Sequence, residues 1–437
     1  MVIAQNILWL LVLIGIMILA HELGHYWTAR FFDVRIDAFS FGFGPRLFGF
    51  RRGETDFRFS AILVGGYVKM AGEDPGDESA NDPRSFAAKP RWQRLIITLA
   101  GPTMNLFLAV ALLTGLYMVK FHMPPDVRAV VGHVFADSAA TKAGVREGDR
   151  IVAIDGKENP TWEDVTIREV AGASQSLQVK LERNGRTLWT QVTPALDSRT
   201  GVGYAGWLEQ GEVEVTSLAP GMPAQQAGLQ KGDLLLSANG HPIRSQFRLQ
   251  EIIRLGQGKP VEIEYERQGR RFRVTVQPTF AYPEGTGRWM IGVFLYPRLV
   301  FAKLAFPDAL AASLRHNVRS AGLVYEFLQR ILQQRMSPKS LEGPIGIARL
   351  SGEAAREGPA AFVGLMSMVS LQLAIFNLLP IPILDGGRTL MLAVEMLMRR
   401  DLSLKLKETV LKLGFVVLVA AVVFVLYNDI AKILPAG

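Results

Sequence analysis

The sequence predicts a multi-domain membrane protein with about four transmembrane helices, a membrane-associated β-hairpin region and two tandem α+β domains outside the membrane. Three observations support this prediction. Of the 437 residues, 49% are hydrophobic, which is high for a soluble protein, whereas 20% are charged, which is too many for a fully embedded one. Long apolar segments lie towards both ends of the chain. A charged, glycine-rich stretch between them contains an internal repeat.

The first apolar segment contains an H-E-x-x-H motif at residues 21–25. On a helix, residues four apart share one face, so His21 and His25 are placed to bind one metal ion. Glu22 lies beside that face and is placed to take a proton from a metal-bound water. The alternative is a transmembrane helix with unrelated polar residues at its cytosolic end. The specificity of the motif favours a metal hydrolase.

The motif is predicted to lie at membrane depth. The apolar run from Ile7 to Ala20 is too short to cross a hydrocarbon core of about 30 Å, so a spanning helix must continue to about Phe32. Ionisable groups at that depth usually face a protein interior or a water-filled cavity. A cleaved signal peptide is not expected, because a basic start and a cleavage site are both missing. Residues 1–33 are therefore assigned to the first transmembrane helix.

Residues 34–94 are predicted to form a β-hairpin region and a cytosolic loop. Short basic connections lie on the cytosolic side of a membrane. Alternating aromatic residues within 34–43 and 56–70 predict two strands. The strands either re-enter the membrane, where an open edge would bind an extended substrate, or form a small cytosolic hairpin. The local pattern fits both alternatives.

Residues 95–123 are predicted as the second transmembrane helix. Its A-G-P sequence at 100–102 predicts an interruption near the start, and Asn105 follows. Glycine and proline also serve as simple packing residues in membrane helices, so that interpretation stays open.

A gapless duplication follows the second helix. The pattern A-G-φ-x-x-G-D-x-φ-φ-x-φ-[DN]-G, with φ apolar, occurs at 143–156 and again at 227–240. It resembles the core of a PDZ domain, a fold that binds extended chain ends by strand addition. Residues 124–208 are assigned to PDZ domain 1 and residues 209–297 to PDZ domain 2.

Neither copy contains a clean G-L-G-F carboxylate-binding loop, and residues 130–134 and 213–217 occupy the expected positions. His133 and His241 are interpreted as surface loop residues rather than ligands. The next segment, residues 298–360, has helical periodicity. It predicts amphipathic helices that lie on the outer membrane surface, brace the PDZ pair or pack on the PDZ core.

The third transmembrane helix, assigned to residues 361–390, ends in an L-D-G motif. Asp385 is an acidic residue within an apolar stretch and is the candidate for a third metal ligand. Two His and one carboxylate leave the fourth position of zinc open for water. Without the H-E-x-x-H motif, Asp385 would be a turn residue. Asn377 is placed to hold a substrate carbonyl or a developing oxyanion. The basic stretch at 388–412 is interpreted as a cytosolic loop, and residues 391–437 are assigned to that loop and a fourth transmembrane helix.

Composition narrows the chemistry further. The chain contains no Cys, so a zinc site would use His and carboxylate ligands. The net charge of +8 does not indicate nucleic-acid binding, because the basic residues concentrate beside apolar segments. With an even number of spans and basic connections inside, both termini and the duplicated domains are expected outside.

Taken together, these residues resemble the site-2 protease family of intramembrane zinc metalloproteases. The resemblance rests on residues 21–25, 65–70 (G-G-Y-V-K-M), 100–102 with Asn105, the duplicated signature, 343–348 (G-P-I-G-I-A) and 377–387 (N-L-L-P-I-P-I-L-D-G-G). Arg388 departs from the family pattern, in which His is expected.

The resemblance implies second-step proteolysis of single-pass membrane proteins in a bacterial inner membrane, with the active site near the cytosolic side. The implied substrates are an anti-sigma factor of an envelope-stress pathway and leftover signal peptides. The hairpin would hold substrate through Gly65, Gly66 and Tyr67, and Asn105 and Asn377 are also expected at the substrate. The PDZ pair would exclude bulky ectodomains and bind peptides, and membrane lipid would surround the core.

Two alternatives come from other functional classes. The first is a membrane-anchored PDZ adaptor with a vestigial metal site, although a vestigial site has no reason to keep both Glu22 and Asp385. The second is a metal-dependent transporter, which should contain more spans and repeated membrane halves. The repeat in this chain is instead charged and soluble in character.

Overall fold

The computed structural model describes residues 2–73, 79, 82–123, 128–197, 202–282, 287–298, 300–332 and 343–433. The chain divides into two compact units. The first, which we call the helical unit, comprises Met1–Phe121, Ala302–Glu326 and Leu341–Gly437. The second, the repeat unit, comprises His122–Phe301 and Phe327–Ser340.

Long helices occupy both ends of the chain, and most of the strands lie between them. In chain order, the helices are α1 (Val2–Phe31), α2 (Arg91–Val119), α3 (Ala139–Lys142), α4 (Trp162–Ala171), α5 (Pro223–Gln226), α6 (Gln246–Gly256), α7 (Phe306–Leu332), α8 (Pro344–Glu357), α9 (Pro359–Asn377), α10 (Asp385–Met398) and α11 (Leu404–Ile433). The strands are β1 (Ile36–Arg52), β2 (Thr55–Met70), β3 (Phe121–Met123), β4 (Val131–Val134), β5 (Arg150–Ile154), β6 (Lys157–Glu158), β7 (Leu177–Arg183), β8 (Arg186–Val192), β9 (Ala195–Leu196), β10 (Gly203–Tyr204), β11 (Trp207–Glu209), β12 (Val213–Leu218), β13 (Leu234–Ala238), β14 (His241–Pro242), β15 (Val261–Arg267), β16 (Arg270–Val276), β17 (Thr279–Ala281), β18 (Arg288–Met290), β19 (Val293–Pro297) and β20 (Val300–Ala302).

Within the described residues, α1, α2, α9 and α11 are long and apolar enough to cross a membrane. They belong to the helical unit, where α1 and α9 share a core of Leu13, Met17, Phe362 and Met366. Apolar side chains surround these helices on most sides, as expected for segments that face lipid as well as protein.

The α2 helix is continuous, so the predicted interruption at its Gly-Pro sequence is wrong. Pro102 lies inside the helix. The hydroxyls of Thr98 and Thr103 donate to the carbonyls of Arg94 and Leu99, at 3.0 and 2.8 Å. Pro102 removes only one backbone donor, the one that would reach the Thr98 carbonyl, so the helix continues on both sides of it. The helix also begins earlier than predicted, at Arg91.

Strands β1 and β2 form an antiparallel hairpin that is folded over on itself. Residues 38–41 pair with 66–69 on one side and with 56–59 on the other, and 48–51 pair with the outer side of 56–59. Both predicted strands are present, and β1 continues beyond its predicted end. The segment at 66–70 therefore forms one edge of the hairpin.

Two helical predictions near the C-terminal end need correction. Residues 388–412, predicted as a loop, form most of α10 and the start of α11. Arg388 is the one basic residue within α10, whose exposed positions include Leu390, Met396 and Leu397 while Leu392 and Glu395 are buried. The amphipathic segment predicted from residue 298 starts with strand β20 before α7 begins.

Helix α8 is held at its start by α11. The carboxylate of Asp429, which is 2% exposed, accepts hydrogen bonds from the N–H groups of Gly343, Ile345 and Gly346 at 2.9, 2.9 and 3.2 Å. An acidic side chain satisfies otherwise unpaired donors at a helix N-terminus. This contact provides a structural reason for the G-P-I-G sequence at 343–346.

The repeat unit contains two copies of the same arrangement. Repeat 1 (residues 128–209) and repeat 2 (residues 212–297) each contain a sheet, a longer helix and an apolar core. Equivalent strands β5 and β13 begin at Arg150 and Leu234, a spacing of 84 residues. The sheet orders are β6-β5-β7-β8 and β16-β15-β13-β12-β19, and β14 pairs with β13.

The Gly-Asp of the duplicated signature forms the same buried ion pair in both repeats. Asp149, 1% exposed, pairs with Arg183 at 2.6 Å, and Asp233, 0% exposed, pairs with Arg267 at 2.6 Å. Each carboxylate also accepts from an N–H three residues earlier, at 2.8 Å. The signature is therefore a structural element of the turn that leads into β5 or β13.

The expected carboxylate-loop positions, 130–134 and 213–217, lie largely in strands β4 and β12. A turn that contains Gly206 precedes β11, and a turn that contains Gly292 precedes β19. These two strands pair with β4 and β12. His133 is likewise not a surface loop residue. It is 5% exposed on β4, and its Nδ1 lies 2.8 Å from a Glu147 carboxylate oxygen.

Candidate metal centre

Three predicted ligands meet inside the helical unit. His21 and His25 lie one turn apart on α1, and Asp385 is the first residue of α10. The two Nε2 atoms are 3.2 Å apart, and Asp385 Oδ2 lies 3.0 and 3.6 Å from them. The imidazoles are 9% and 8% exposed. The sequence-predicted ligand set is thus brought to one point.

These distances fit a tetrahedral zinc ion. Ligand atoms about 2.0 to 2.1 Å from a tetrahedral Zn²⁺ lie roughly 3.3 to 3.4 Å from one another. The three observed separations bracket that value. Two histidine nitrogens and one carboxylate oxygen are also the donor set that leaves one position open for water.

The turn before Asp385 is shaped by the two glycines that follow it. A Cβ on Gly386 would lie 2.2 Å from the Leu378 carbonyl oxygen, and one on Gly387 would lie 2.2 Å from that of Ile381. Only glycine permits this approach, because other residues would displace the backbone. The glycines therefore bring the start of α10, with Asp385, back onto the end of α9.

Each histidine has a partner for its second ring nitrogen. His25 Nδ1 lies 2.8 Å from the carbonyl oxygen of Ile97, so Nδ1 carries the proton and Nε2 is free to bind metal. His21 Nδ1 lies 3.2 Å from the Asn105 amide. The atom nearest to the ring is Asn105 Nδ2, and Asn105 Oδ1 has no partner among the described residues. A 180° rotation of the amide exchanges these two atoms, and Oδ1 then accepts from His21 Nδ1–H when His21 binds through Nε2.

Asn105 is completely buried next to His21. Its side chain is 0% exposed, and its backbone carbonyl accepts from the Ser370 hydroxyl at 2.8 Å. This arrangement joins α2 to α9 directly behind His21. The position was expected to bind substrate, and its complete burial instead favours a positioning role.

Glu22 is held beside the ligand cluster. No described residue hydrogen-bonds its carboxylate, and His25, His21, Asp385 and Glu73 are its nearest electrostatic neighbours. A partner-free carboxylate next to a metal site is available to accept a proton.

The hairpin approaches Glu22 along its edge strand. A Cβ on Gly66 would lie 3.4 Å from Glu22 Cγ, so the backbone of β2 passes directly over the predicted general base. Gly65 has a φ of +122° and packs on Phe43, whose ring stacks with Tyr67 at 6.0 Å.

Asn377 is the last residue of α9. It is half-buried and makes no side-chain hydrogen bond to a described residue.

Some site residues were missed or misread in the sequence. Gly101 packs so tightly that a Cβ there would lie 2.3 Å from His25 Nε2 and 2.7 Å from His21 Nε2. In the sequence, Gly101 stands out as part of a Gly-Pro pair inside a membrane helix, and that pair was interpreted as a break in the helix. Arg388, on the turn of α10 after Asp385, forms an ion pair with Glu73. Nothing in the sequence pattern identifies Glu73.

A second cluster in the repeat unit also brings His and Glu together. His133, Glu147 and Glu251 offer ligand atoms within 4.8 Å of one another. Arg248 already neutralises the two carboxylates, at 3.4 Å from Glu147 and 2.9 Å from Glu251. A guanidinium at this point opposes the binding of a cation, unlike the centre formed by α1 and α10.

Comparisons with known proteins agree with the chemistry of this centre. The model of the family described as Peptidase family M50 matches residues 9–421. A Xylella fastidiosa protein, provisionally named a zinc metalloprotease, is 32% identical over 97% of this chain and 98% of that protein. The regulator of sigma-E protease RseP from Escherichia coli is 28% identical over 97% of this chain and 98% of that protein. Its Salmonella typhimurium counterpart is 28% identical over 98% and 100%.

One solved structure, the PDZ domain of an SdrC-like protein from Listeria monocytogenes, is 25% identical over 20% of this chain and 90% of that chain, with a TM-score of 0.18.

Proposed function

Because the chain belongs to peptidase family M50, the site-2 protease family, and is a zinc metalloprotease of the membrane, we propose that His21, His25 and Asp385 hold its zinc and that Glu22 is its general base. One observation carries this assignment. Three ligand atoms lie 3.0 to 3.6 Å from one another, next to the carboxylate of Glu22, with which no described residue forms a hydrogen bond.

Each residue of the centre has a separate proposed role in peptide hydrolysis. When bound, zinc lowers the pKa of a water in its open position and polarises the scissile carbonyl. Glu22 takes the proton that the attacking water loses and passes it to the leaving amine. Asn377, at the end of α9, is proposed to donate to the substrate carbonyl as negative charge develops. The carbonyl of Ile97 and the amide of Asn105 keep both imidazoles in the orientation that directs Nε2 inward.

Substrate is proposed to bind as an extended strand on the 66–70 edge of the hairpin. Along a strand, N–H groups alternate between the two sides. The N–H of Ala71 donates inward to Arg35 and that of Met70 donates to Glu73, so the N–H groups of Gly66 and Val68 point away from β1. A substrate helix must unwind before cleavage, and pairing with these groups offsets its lost hydrogen bonds. Gly65 and Tyr67 shape the same segment.

The substrate class follows from the family and from the relatives named for regulating sigma-E. We propose second-step cleavage of single-pass membrane proteins, with an anti-sigma factor of an envelope-stress pathway as the main substrate and leftover signal peptides as a second class. The two repeats are proposed to be PDZ domains that exclude bulky ectodomains and bind peptides. Membrane lipid surrounds the apolar helices in this proposal.

The chain is a multi-pass protein of the bacterial inner membrane, and its orientation is proposed from charge. The short basic connection between α1 and α2 favours the cytosolic side. That orientation puts the repeats and both termini in the periplasm, with the active site near the cytosolic side.

The test is cleavage of a truncated single-pass substrate by purified wild type and Glu22→Gln, with bound zinc quantified in both. Glu22→Gln should keep zinc and lose cleavage by at least about 1,000-fold, near the usual contribution of general base catalysis. Glu353→Gln, on the exposed face of α8, is the matched control and should cleave normally. Cleavage by Glu22→Gln at the control rate would remove Glu22 from the mechanism. If neither wild type nor control cleaves, the peptide-binding adaptor becomes the better description.

A further inference from the structure

In repeat 1, a buried glutamate accepts a hydrogen bond from a backbone N–H group of a turn. Glu169, on α4, is 8% exposed. One carboxylate oxygen accepts from the N–H of Ala205 at 2.6 Å, and the other accepts from Trp207 Nε1 at 2.9 Å. The N–H of Gly206 also faces this carboxylate. Within the described residues the hydrogen-bond partners of Glu169 are donors, which matches the acceptor-only chemistry of a carboxylate.

Repeat 2 contains the same turn. The N–H of Ala140 donates to the Ala205 carbonyl at 2.8 Å, and the N–H of Ala224 donates to that of Ile291, also at 2.8 Å. The next residue in each turn is a glycine with positive φ, +82° at Gly206 and +75° at Gly292. We call the N–H groups of Ala205 and Gly206 the repeat 1 nest, and those of Ile291 and Gly292 the repeat 2 nest.

The two nests differ in what occupies them. At the spacing of 84 residues that relates β5 to β13, the position of Glu169 corresponds to Ile253 on α6. Ile253 is 4% exposed and packs in the apolar core of repeat 2. No described residue accepts a hydrogen bond from the repeat 2 nest, although both of its residues are buried.

The partner of Glu169 has changed together with it. Trp207, which donates to the carboxylate from within repeat 1, directly follows Gly206, and the residue that directly follows Gly292 in repeat 2 is Val293. A buried polar pair in one repeat is thus an apolar pair in the other. Buried backbone donors usually have an acceptor, and among the described residues the repeat 1 nest has an internal one, the carboxylate of Glu169.

We propose that Glu169 is a built-in ligand that closes the repeat 1 nest to the free carboxylates of other chains. Successive backbone N–H groups in such a turn form an anion-binding concavity, and chain-terminal carboxylates are captured in this way. An incoming terminus would have to displace a like charge that is already fully hydrogen-bonded in a buried site. Glu169 therefore determines specificity by exclusion, and the peptide-binding properties of the two repeats are unequal.

The test uses the full-length protein in nanodiscs and the peptide acetyl-Ala-Ala-Val, either with a free terminal carboxylate or as its terminal amide. Hydrogen exchange is followed separately at the two nests. In wild type, neither peptide should change exchange at Ala205 and Gly206. In Glu169→Ala, exchange there should accelerate by at least about tenfold, as expected when hydrogen bonds to a charged group are lost. The free-acid peptide, and not the amide, should then restore the protection.

Glu169→Gln provides a second variant that keeps the side-chain shape and removes the charge. It should show a weaker carboxylate-dependent protection than Glu169→Ala, because its amide still fills part of the turn. The amides of β7 and β15 should stay protected in both variants, which reports that both repeats remain folded.

The proposal is overturned if wild-type repeat 1 binds the free-acid peptide as well as Glu169→Ala does, or if neither folded variant gains carboxylate-dependent protection. These readouts do not depend on peptide-bond cleavage, so they fail or succeed separately from the protease assignment.

Discussion

The backbone of Gly101 on α2 lies against the metal-facing edge of His25, where an added Cβ would be 2.3 Å from Nε2. Such a distance is far below van der Waals contact, and the obstructing atoms are the ligands themselves. We expect Gly101→Ala to lower zinc affinity by about 100-fold, the upper end of effects seen when ligand orientation is lost. Competition against a fluorescent zinc chelator measures this directly.

Gly115→Ala is the matched control, since it lies on the same helix with nothing within 4 Å of its added Cβ. It should bind zinc normally and slightly stabilise α2 through its better helix propensity. Equal zinc affinity for the two variants would show that α2 does not confine the ligands.

Substitutions at Asn105 distinguish a role in positioning His21 from a role in binding substrate. Asn105→Ala removes the acceptor for His21 Nδ1–H, and we expect zinc affinity to fall by about 10- to 100-fold. Asn105→Asp keeps an acceptor at the same place and should recover most of that affinity. If Asn105→Ala instead binds zinc normally and only raises KM, the residue binds substrate.

The edge of the hairpin can be tested through one backbone donor. Val68→Pro removes an N–H that points away from β1, and we expect cleavage to be lost while zinc stays bound. Arg51→Pro, on the opposite edge of the same hairpin, is the control and should retain cleavage. Normal turnover by Val68→Pro would argue against substrate pairing at this edge.

The repeated ion pair predicts where the repeat unit is most sensitive to charge removal. Asp233→Asn leaves Arg267 without its buried partner, and we expect a loss of about 3 kcal/mol in the free energy of unfolding of repeat 2. Glu262→Gln, in the exposed pair with Arg273, should change it by less than about 1 kcal/mol. Hydrogen exchange of β13 and β15 amides in the full chain compares the two. Similar small changes would mean that the buried pair adds little.

The ligands of the metal centre were predictable because their signals are local. His21 and His25 follow from helical spacing, and Asp385 is an unusual acidic residue in an apolar segment. The Ile97 carbonyl and Gly101 were not predictable in the same way, because their roles depend on how α2 packs against α1. Asn105 was recognised as a site residue, but its burial behind His21 is a tertiary property that the sequence does not display.

Other differences between sequence and structure come from competing signals in one segment. The basic residues of 388–412 indicate a loop, but all except Arg388 lie after the end of α10, and the apolar residues 390–394 and 396–398 form the helix. Glu169 lies outside the short duplicated signature, which does not point to it. Extending the same spacing into α4 and α6 pairs Glu169 with Ile253 and reveals the difference between the repeats.

Glu169 also predicts how the stability of repeat 1 depends on pH. Burial raises the pKa of this carboxyl above its ordinary value of 4.5, and hydrogen bonds from Ala205, Trp207 and Gly206 only partly oppose that effect. Between 4.5 and the raised value, the folded protein holds a proton that the unfolded chain has lost. The free energy of unfolding contributed by this group is therefore full below pH 4.5 and decreases as pH rises through the raised pKa.

Glu169→Gln removes this titration, so its free energy of unfolding should decline less than that of wild type as pH rises above 4.5. Hydrogen exchange of repeat 1 amides, corrected for the intrinsic pH dependence of exchange, measures the difference. Repeat 2 is the internal control, because Ile253 occupies the equivalent position and does not titrate. A wild-type stability that rises with pH across this range, relative to Glu169→Gln, would mean that the hydrogen bonds to the carboxylate outweigh its burial.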